Sequence, residues 1–436
     1  MEWWLTLLII FGSFLILMLA GMPVAFSFML INLIGVFIFW GGVAGLRQLI
    51  LSIFEAVTFF ALVPAPLFIL MGDVLFRSGM GTRMLDALEK LLGRLPGRLS
   101  LIAVGGGVLI GALSGNSWAS AAMLGSVLDP EMEKRGYKKS MTLGPIMGSG
   151  ILAIIIPPSG MAVVLASLAS ISVGGLLISG VIPGLVMAVF YAIYIIGRCI
   201  LQPNLAPSYA VARLSLAERL KPSIQYVLPL GVIIFSVMGL MLLGIATPTE
   251  AAAFGALSTF VMAAAYKSLN WEVVKAAFTA TTSTIVMIFM IFCGSTAFSQ
   301  ILAYSGATKG MIELAMSLPV HPIILLIGTQ LIVVFMGMFM EQMSILMITL
   351  PIFMPLCTVF GWDPLWFGLM MLINMGIANI SPPFGIVLFV MKGVSPPGTT
   401  MGDIYRASIP FVIMDFIVIL LVMAFPPIAL WLPSTV

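Results

Sequence analysis

Charged residues are scarce in this chain. Only 8% of its 436 residues are Asp, Glu, Lys or Arg, whereas 61% are hydrophobic. Soluble globular domains carry about 25% charged residues, so this composition excludes a water-soluble protein. Apolar runs of about 20 residues recur along the sequence, which is typical of a polytopic α-helical protein in a lipid bilayer. These continuous runs argue against an outer-membrane β-barrel, whose strands alternate and span only about ten residues.

Side chains that perform chemistry are also few. The chain has one histidine, His321, and three cysteines that lie in apolar runs without a CxxC spacing. This pattern indicates neither a disulfide framework nor a transition-metal site. The sequence contains no HExxH or GxSxG motif and no paired carboxylates within an intramembrane segment. We therefore expect no enzyme activity, no organic cofactor and no nucleic-acid partner.

Helix breakers stand where a simple transmembrane helix should have none. Residues 99–133 form an almost uncharged run with Ser114-Gly115-Asn116-Ser117 at its middle. A helix rises about 1.5 Å per residue, so one helix of about 35 residues would overshoot a hydrocarbon core of about 30 Å. We therefore predict a re-entrant hairpin at 99–133. The next run, 140–169, is predicted to be a helix broken at Pro157-Pro158.

A second copy of this pattern appears in the other half of the chain. Residues 322–360 form another hairpin-length run with Glu341-Gln342-Met343-Ser344 at its middle, and residues 364–392 are interrupted at Pro382-Pro383. The interval from Pro157 to Pro382 equals the interval from Pro23 to Pro248, which indicates an internal duplication. Each copy is expected to cross the membrane five times, and an odd number of crossings inverts the second copy. The predicted fold is an all-α polytopic membrane protein of two inverted five-crossing repeats, 1–200 and 223–436, joined by a cytoplasmic connection, 201–222.

The basic residues test this topology. Of the 19 Lys and Arg residues, 17 fall on one side of the predicted membrane, and only Arg47 and Lys309 fall on the other. The positive-inside rule assigns the side with 17 to the cytoplasm. Both termini then lie outside, the first hairpin enters from the cytoplasm, and the second enters from the opposite face.

The hairpin tips and the two breaks form the candidate binding site. Irregular backbone at membrane depth is tolerated only where protein buries it or where it lines a cavity. The prolines cannot donate to the carbonyls four residues earlier, at Ala153, Ile154, Ala378 and Asn379. Such carbonyls, with nearby hydroxyls and amides, form an oxygen shell suited to Na⁺, while half-helix N-termini would face an anionic substrate. The candidate sodium ligands are Ser114, Gly115, Asn116, Ser117, Ile156, Pro157, Glu341, Ser344, Asn379 and Ser381. The candidate substrate-binding residues are Ser117, Pro158, Ser159, Gln342, Ser344 and Pro382.

These features also have a structural alternative. Pro-Pro can simply kink a buried helix, while Ser and Asn side chains tie helices together. Glu341 is costly within an apolar hairpin and would balance a bound cation, unless the tip is wet and the carboxylate is only solvated. Thr247 and Glu250, by contrast, fit a capping box around Pro248 at a helix start. We therefore assign Thr247 and Glu250 a structural role.

Several motifs together resemble one family of membrane proteins, the large membrane subunit of TRAP transporters (the DctM family). They are Ser-Gly-Asn-Ser-Trp-Ala-Ser-Ala-Ala-Met-Leu-Gly at 114–125, Gly136-Tyr137, Ile-Ile-Ile-Pro-Pro-Ser at 154–159 and Thr-Pro-Thr-Glu-Ala-Ala-Ala at 247–253. The resemblance implies Na⁺-driven uptake of an organic acid, of the sialic acid or C4-dicarboxylate class, across the bacterial inner membrane. It further implies a periplasmic substrate-binding protein, a small four-helix membrane subunit and an elevator mechanism, with Na⁺ as the transported coupling ion. Both termini would then be periplasmic.

The sequence departs from the family pattern at both tips. Asn116 stands where the family usually has serine, Trp118 is bulky, and the second tip has Glu341-Gln342-Met343 in place of a shorter acid followed by small residues. The choice of substrate and the individual ion ligands therefore stay open. Two other functions also stay open: a Na⁺-coupled carboxylate transporter of the related ion-transporter type that needs no binding protein, and a non-transporting membrane scaffold.

Overall fold

Helices form all the regular secondary structure in the part of the chain that the structure describes. The structure is a computed structural model, and it describes residues 2–92, 95–114, 117–207 and 215–435. The predicted all-α fold is confirmed. The first half contains α1 (Trp3–Leu19), α2 (Val24–Phe39), α3 (Val43–Val57), α4 (Pro64–Arg77), α5 (Met80–Leu92), α6 (Arg98–Ser114), α7 (Ser117–Lys134), α8 (Lys139–Ile155), α9 (Gly160–Leu168), α10 (Val173–Ser179) and α11 (Val181–Leu201).

The helices of the second half begin at positions that echo those of the first. They are α12 (Leu216–Pro222), α13 (Leu228–Leu242), α14 (Pro248–Ala265), α15 (Trp271–Tyr304), α16 (Ala307–Ser317), α17 (Pro322–Gly337), α18 (Gln342–Phe360), α19 (Pro364–Ile380), α20 (Ile386–Val394), α21 (Met401–Ala424) and α22 (Pro427–Leu430). The starts of α7 and α18 are separated by the same interval as the starts of α8 and α19, and the interval from α2 to α14 is shorter by a single position. The inverted orientation of the two copies stays a prediction.

Six helical segments of the described chain are long and apolar enough to cross a membrane, and a seventh is added if α8 and α9 form one span. Helices α8 and α9 are bent by 45° at the break between them. Several other apolar helices, including α2, α17 and α19, are shorter than 18 residues. The chain is therefore a multi-pass membrane protein, and the full set of ten crossings stays a prediction.

Two helices of the second half are long. Helix α15 runs from Trp271 to Tyr304. Helix α21 begins at Met401, nine residues before Pro410, and ends at Ala424. Thr400 explains this start, because its Oγ1 accepts from the Asp403 N–H at 3.2 Å while Asp403 caps the Thr400 N–H in return. Helix α21 continues through Pro410, because neighbouring helices in a membrane protein can satisfy the backbone carbonyl that a proline leaves free.

The chain folds into two compact units, and each takes segments from both halves of the sequence. The first unit comprises Met1–Phe60, Thr282–Val333 and Met340–Pro364, and the second comprises Ala61–Thr281, Val334–Phe339 and Leu365–Val436. The first predicted hairpin and both broken helices therefore belong to the second unit. The tip of the second hairpin, at Glu341, belongs to the first unit.

The first unit has an aromatic core between α1, α2 and α15. Phe28 packs against Phe14 and Phe298 with ring centroids 4.7 Å and 5.1 Å away. Beside them, the fully buried Asn32 donates to the Gly294 carbonyl at 2.7 Å. A polar clamp of this kind ties two helices together where lipid offers no hydrophobic drive for association.

The second unit is built on close contact between α6 and α8. A Cβ at Gly111 would lie 2.3 Å from the Ala153 Cβ and 2.7 Å from the Ala153 Cα. Small residues let helix backbones approach closely in membranes, where packing and hydrogen bonds must supply the association energy. The contact holds the first hairpin against the residues that precede the Pro157-Pro158 break.

Helix α5 is fastened to the base of the same hairpin by ion pairs. Glu89 accepts from Arg98 at 2.6 Å and from Arg135 at 2.5 Å, at the start of α6 and just after the end of α7. The Arg98 side chain is only 5% exposed, so this pair is screened less than a surface pair. Glu89 thus joins α5 to both limbs of the hairpin.

Candidate functional site

At the first helix break, a side-chain hydroxyl donates to one of the carbonyls that the prolines leave without a backbone donor. Pro158 leaves the Ile154 carbonyl without a backbone donor, and the buried Ser159 hydroxyl donates to that carbonyl at 2.5 Å. The Ser159 oxygen also accepts from the Ala162 N–H at 3.2 Å and so caps α9. The Ile154 carbonyl therefore has one hydrogen-bond partner, and its use as an ion ligand stays a prediction.

The second break is resolved differently. The N–H of Ser381 donates to the Ala378 carbonyl at 3.2 Å, and the Ser381 hydroxyl donates to the Ile377 carbonyl at 2.7 Å. The Ala378 carbonyl thus also has a hydrogen-bond partner, and its use as an ion ligand stays a prediction as well. A Cβ at Gly385 would lie 2.4 Å from the Asn379 carbonyl oxygen, so glycine is what lets the chain pass this carbonyl.

The first hairpin and the second break meet at a buried hydrogen bond. The Asn379 amide donates its Nδ2 to the Ser117 Oγ at 3.1 Å, and both side chains are only 1% exposed. The Ser117 carbonyl oxygen faces Gly150 of α8, where a Cβ would lie 3.0 Å from it. Three predicted elements therefore converge here: the start of α7, the α8 helix and the end of α19. All of them belong to the second unit.

Two side-chain oxygens at or next to this meeting point are unsatisfied in the described chain. The Asn379 Oδ1 and the Ser120 Oγ are both buried and have no hydrogen-bond partner within the described residues. Ser120 lies three residues after Ser117, on the same face of α7. Buried polar atoms nearly always have a partner, so unsatisfied oxygens need an explanation. These neutral oxygens, like the Ser117 carbonyl and hydroxyl, are hard ligands of the kind that Na⁺ prefers, and their binding of one ion stays a prediction.

The second tip is organised by helix capping. The Glu341 carboxylate accepts from the Met343 N–H at 2.9 Å and from the Ser344 N–H at 3.4 Å, which caps α18. Gln342 and Ser344 are 2% and 1% exposed, and the Gln342 Nε2 has no hydrogen-bond partner in the described chain. Capping accounts for the position of Glu341 without a bound ion. Whether Glu341 also faces a cation stays a prediction.

Some predicted residues fall outside the described part. Gly115 and Asn116 lie outside the described residues, and Ser114 is described only as the last residue of α6. The predicted meeting of the two hairpin tips stays a prediction. Away from the site, Thr247 and Glu250 form a capping box, with the Glu250 carboxylate 2.7 Å from the Thr247 N–H.

Comparison with known families places the chain. The model of the family described as "Tripartite ATP-independent periplasmic transporter, DctM component" matches residues 11–428. The chain belongs to this family. The family resemblance carried by the sequence motifs is confirmed.

Three relatives of this DctM-family chain align over nearly their whole length. The C4-dicarboxylate TRAP transporter large permease protein DctM of Pseudomonas aeruginosa is 31% identical over 89% of this chain and 90% of its own. The ectoine TRAP transporter large permease protein TeaC of Halomonas elongata is 27% identical, over 95% of this chain and 96% of its own. The sialic acid TRAP transporter large permease protein SiaM of Vibrio cholerae is also 27% identical, over 98% and 97%. These relatives are transport permeases and not enzymes, and their names cover three substrate classes.

A solved transporter shares the fold. The YdaH transporter of Alcanivorax borkumensis superposes with a TM-score of 0.61, covering 90% of this chain and 89% of its own, at 16% identity. At this identity the likeness concerns the fold alone.

Two residues near this junction of the DctM-family chain, Ser120 and Gly150, are not among those that the sequence predicts. The signal for Ser120 was available, because a hydroxyl three residues after Ser117 shares its helix face. No local signal marks Gly150, since a glycine in an apolar helix is ordinary in membrane proteins. Its close approach to the Ser117 carbonyl depends on how α7 and α8 pack.

Proposed function

We propose that the chain is the large membrane subunit of a Na⁺-coupled TRAP transporter that imports a small organic acid. The observation that carries this proposal is the match to the DctM component over residues 11–428. A periplasmic binding protein would deliver the substrate, and a small four-helix membrane subunit would stand beside this chain. The protein would lie in the bacterial inner membrane with both termini periplasmic, as the basic residues indicate.

The oxygen cluster around Ser117 supports sodium coupling. The oxygen ligands of this cluster are all uncharged: the Asn379 Oδ1, the Ser117 carbonyl and the hydroxyls of Ser117 and Ser120. A bound Na⁺ would therefore bring a net positive charge into the site. That charge would attract a carboxylate, which links ion binding to substrate binding. The start of α7 adds the positive end of a helix dipole at the same place.

The substrate is expected to be a small carboxylate. The relatives named above differ in substrate, and the chain is nearly as similar to the sialic acid and ectoine permeases as to the dicarboxylate permease. Sialic acid, C4-dicarboxylates and ectoine all carry at least one carboxylate, which is the group that the helix N-termini would receive. We propose this shared group as the recognised feature.

An elevator movement is the proposed mechanism. The first hairpin, both broken helices and their junction lie within one compact unit, the second, so a site built on Ser117 and Asn379 would travel as one body. Such a movement carries a site across the membrane without dismantling it, as in transporters built on inverted repeats.

Reconstituted uptake tests the proposal. The chain is placed in proteoliposomes with its small subunit, and uptake of each carboxylate is measured with and without a Na⁺ gradient and with and without added binding protein. Uptake that needs both supports the proposal. Na⁺-coupled uptake without binding protein would assign the chain to the binding-protein-independent transporters, and absence of flux with every partner would leave a scaffold.

A variant series tests the sodium site itself. Ser117→Ala and Asn379→Ala should each raise the Na⁺ concentration needed for half-maximal uptake, because each removes an oxygen ligand. Ser408→Ala is the matched control, since Ser408 is fully buried and, among the described residues, its hydroxyl bonds only to the Tyr405 carbonyl of its own helix. Unchanged Na⁺ activation in both site variants would show that the cluster is not a sodium site.

A further inference from the structure

A tyrosine and an aspartate form an isolated polar pair inside the second unit. The Tyr191 hydroxyl of α11 donates to the Asp415 Oδ1 of α21, and both residues are 0% exposed. The other carboxyl oxygen, Oδ2, has no hydrogen-bond partner in the described chain. None of the predicted ion or substrate residues takes part in this pair.

The pair lies deep along both helices. Tyr191 is ten residues from the start of α11, and Asp415 is nine residues from the end of α21. At about 1.5 Å per residue, each side chain is about 13 Å or more along its helix from the nearer end. For helices of this apolar length, that depth corresponds to the middle of a hydrocarbon core of about 30 Å.

No cation balances Asp415 within the described residues. The elements packed against α11 and α21 include α6, α8, α10, α20, α22 and the short 3₁₀ turn Pro203–Leu205, and Trp366 of α19 donates to the Val422 carbonyl of α21. The titratable groups on all these elements are Arg98, Lys139, Tyr194, Arg198, Cys199, Lys392, Asp403, Tyr405 and Arg406, together with the pair itself. Arg98 and Lys139 pair with other acids, and the Lys392 ammonium donates to the Thr399 carbonyl at 2.5 Å. No ion pair of the described chain reaches Asp415.

We infer that Asp415 is a proton-binding site, in which the buried carboxyl group holds a proton beside the Tyr191 hydroxyl. An ionised carboxylate buried without a counter-charge is very costly, and such a group takes up a proton instead. One hydrogen bond from a neutral hydroxyl does not offset that cost. A metal ion in place of the proton would need several oxygen ligands, and the pair offers only three oxygen atoms.

The surroundings fix the pair in place. Phe411 lies one turn before Asp415 and packs its ring against Tyr191 with centroids 4.9 Å apart. The opposite side of Phe411 fills a groove in α8, where a Cβ at either Gly144 or Gly148 would lie 2.5 Å from the ring. The proton therefore sits at the junction of α11, α21 and α8, the helix that carries the first break.

The pair also joins the closing helices of the two halves. Asp415 lies 224 positions after Tyr191, one position short of the interval that separates the starts of α7 and α18. This inference does not depend on the proposed transport function.

Infrared difference spectroscopy tests the proton directly. Wild type and Asp415→Asn, purified as the full chain in lipid nanodiscs, are compared at neutral pH in the carbonyl region of protonated carboxylic acids. The wild type should show a band that Asp415→Asn lacks, and Tyr191→Phe should shift that band to higher frequency because a hydrogen bond is lost. Loss of a carboxylate band in Asp415→Asn with no carboxylic acid band would overturn the inference. So would a band that disappears on adding Na⁺.

Thermal unfolding gives an independent test. Because an unfolded aspartate ionises at neutral pH, folding of the wild type must take up a proton, and this becomes harder as pH rises. Asp415→Asn keeps the acceptor for Tyr191 without needing a proton. Its unfolding midpoint should therefore exceed that of the wild type, by a margin that grows between about pH 5 and about pH 9. Glu272→Gln, an exposed acid at the start of α15, is the control and should show no such trend. If Asp415→Asn is less stable than the wild type at every pH, the carboxyl group is ionised and the inference fails. If Asp415→Asn does not fold, the shift of the carboxylic acid band in Tyr191→Phe tests whether Asp415 holds a proton.

Discussion

Substituting alanine for Gly111 should increase the distance between α6 and α8, and the size of this increase follows from the structure. A Cβ at position 111 would lie 2.3 Å from the Ala153 Cβ, whereas ordinary contacts begin at 3.4 Å. The two helices must therefore separate by about 1 Å at this level. Because the Ala153 Cα is also only 2.7 Å away, no change of rotamer can relieve the overlap.

Gly105 of the same helix supplies the matched control. A Cβ at Gly105 would meet nothing within 4 Å. Alanine is a better helix former than glycine by about 1 kcal/mol, and both variants gain this term equally. Their difference isolates the overpacking cost, which is about 1–3 kcal/mol for a methyl group forced into a filled core. Gly105→Ala should be as stable as the wild type or more so, and Gly111→Ala should be less stable than Gly105→Ala by that amount.

Denaturant unfolding of the two variants in the same lipid or detergent measures this difference. Uptake should also fall in Gly111→Ala, because α8 carries the first break and the contact holds it to the hairpin. Equal unfolding free energies for the two variants would show that α6 and α8 are not in contact at Gly111, and the account of the second unit would be wrong.

Three further predictions concern charges and caps. Glu341→Gln should destabilise the start of α18 by about 1 kcal/mol, because a weaker acceptor replaces the carboxylate cap. Hydrogen exchange of the first turn of α18 measures this effect. If that turn stays fully protected while Na⁺ coupling is lost, Glu341 is an ion ligand instead. Glu89→Gln should lower the unfolding free energy by about 1.5–3 kcal/mol, because the nearly buried Arg98 loses a charged partner. Glu313→Gln, in the exposed ion pair with Lys309, is the control and should change the unfolding free energy by less than about 1 kcal/mol. Equal effects of the two variants would show that burial of the ion pair does not matter. Thr247→Ala should lower the unfolding free energy by about 0.5–2 kcal/mol, whereas Thr247→Ser should leave it almost unchanged. Na⁺ activation of uptake should be the same in both variants as in the wild type. A changed Na⁺ response would contradict the structural role of the Thr247–Glu250 capping box.

The sequence was informative where one residue type has one physical consequence. Scarce charge and long apolar runs predicted an all-helical membrane protein, and proline predicted both helix breaks. The spacing of Thr247 and Glu250 predicted their capping box, since the Thr-x-x-Glu pattern is local. Thr400 with Asp403 is the same kind of signal, and it marks the start of α21.

Tertiary partners could not be predicted in the same way. The hydrogen bond between Ser117 and Asn379 joins residues 262 positions apart, and the sequence offered each only as a separate candidate. The Tyr191–Asp415 pair was missed because a lone aspartate in an apolar run does not reveal which helix faces it.

The two breaks show how far a repeat constrains function. Ser159 follows the first Pro-Pro pair, and the equivalent position after the second pair is Phe384, while Ser381 precedes the second pair where the first copy has Ile156. The hydroxyl of Ser159 satisfies the Ile154 carbonyl, whereas the Ser381 backbone and side chain satisfy Ala378 and Ile377. Because each copy answers the same loss of backbone donors with a different serine, duplication conserves the break but not its polar atoms. Repeat symmetry by itself is therefore no ground for expecting the same polar site at both breaks.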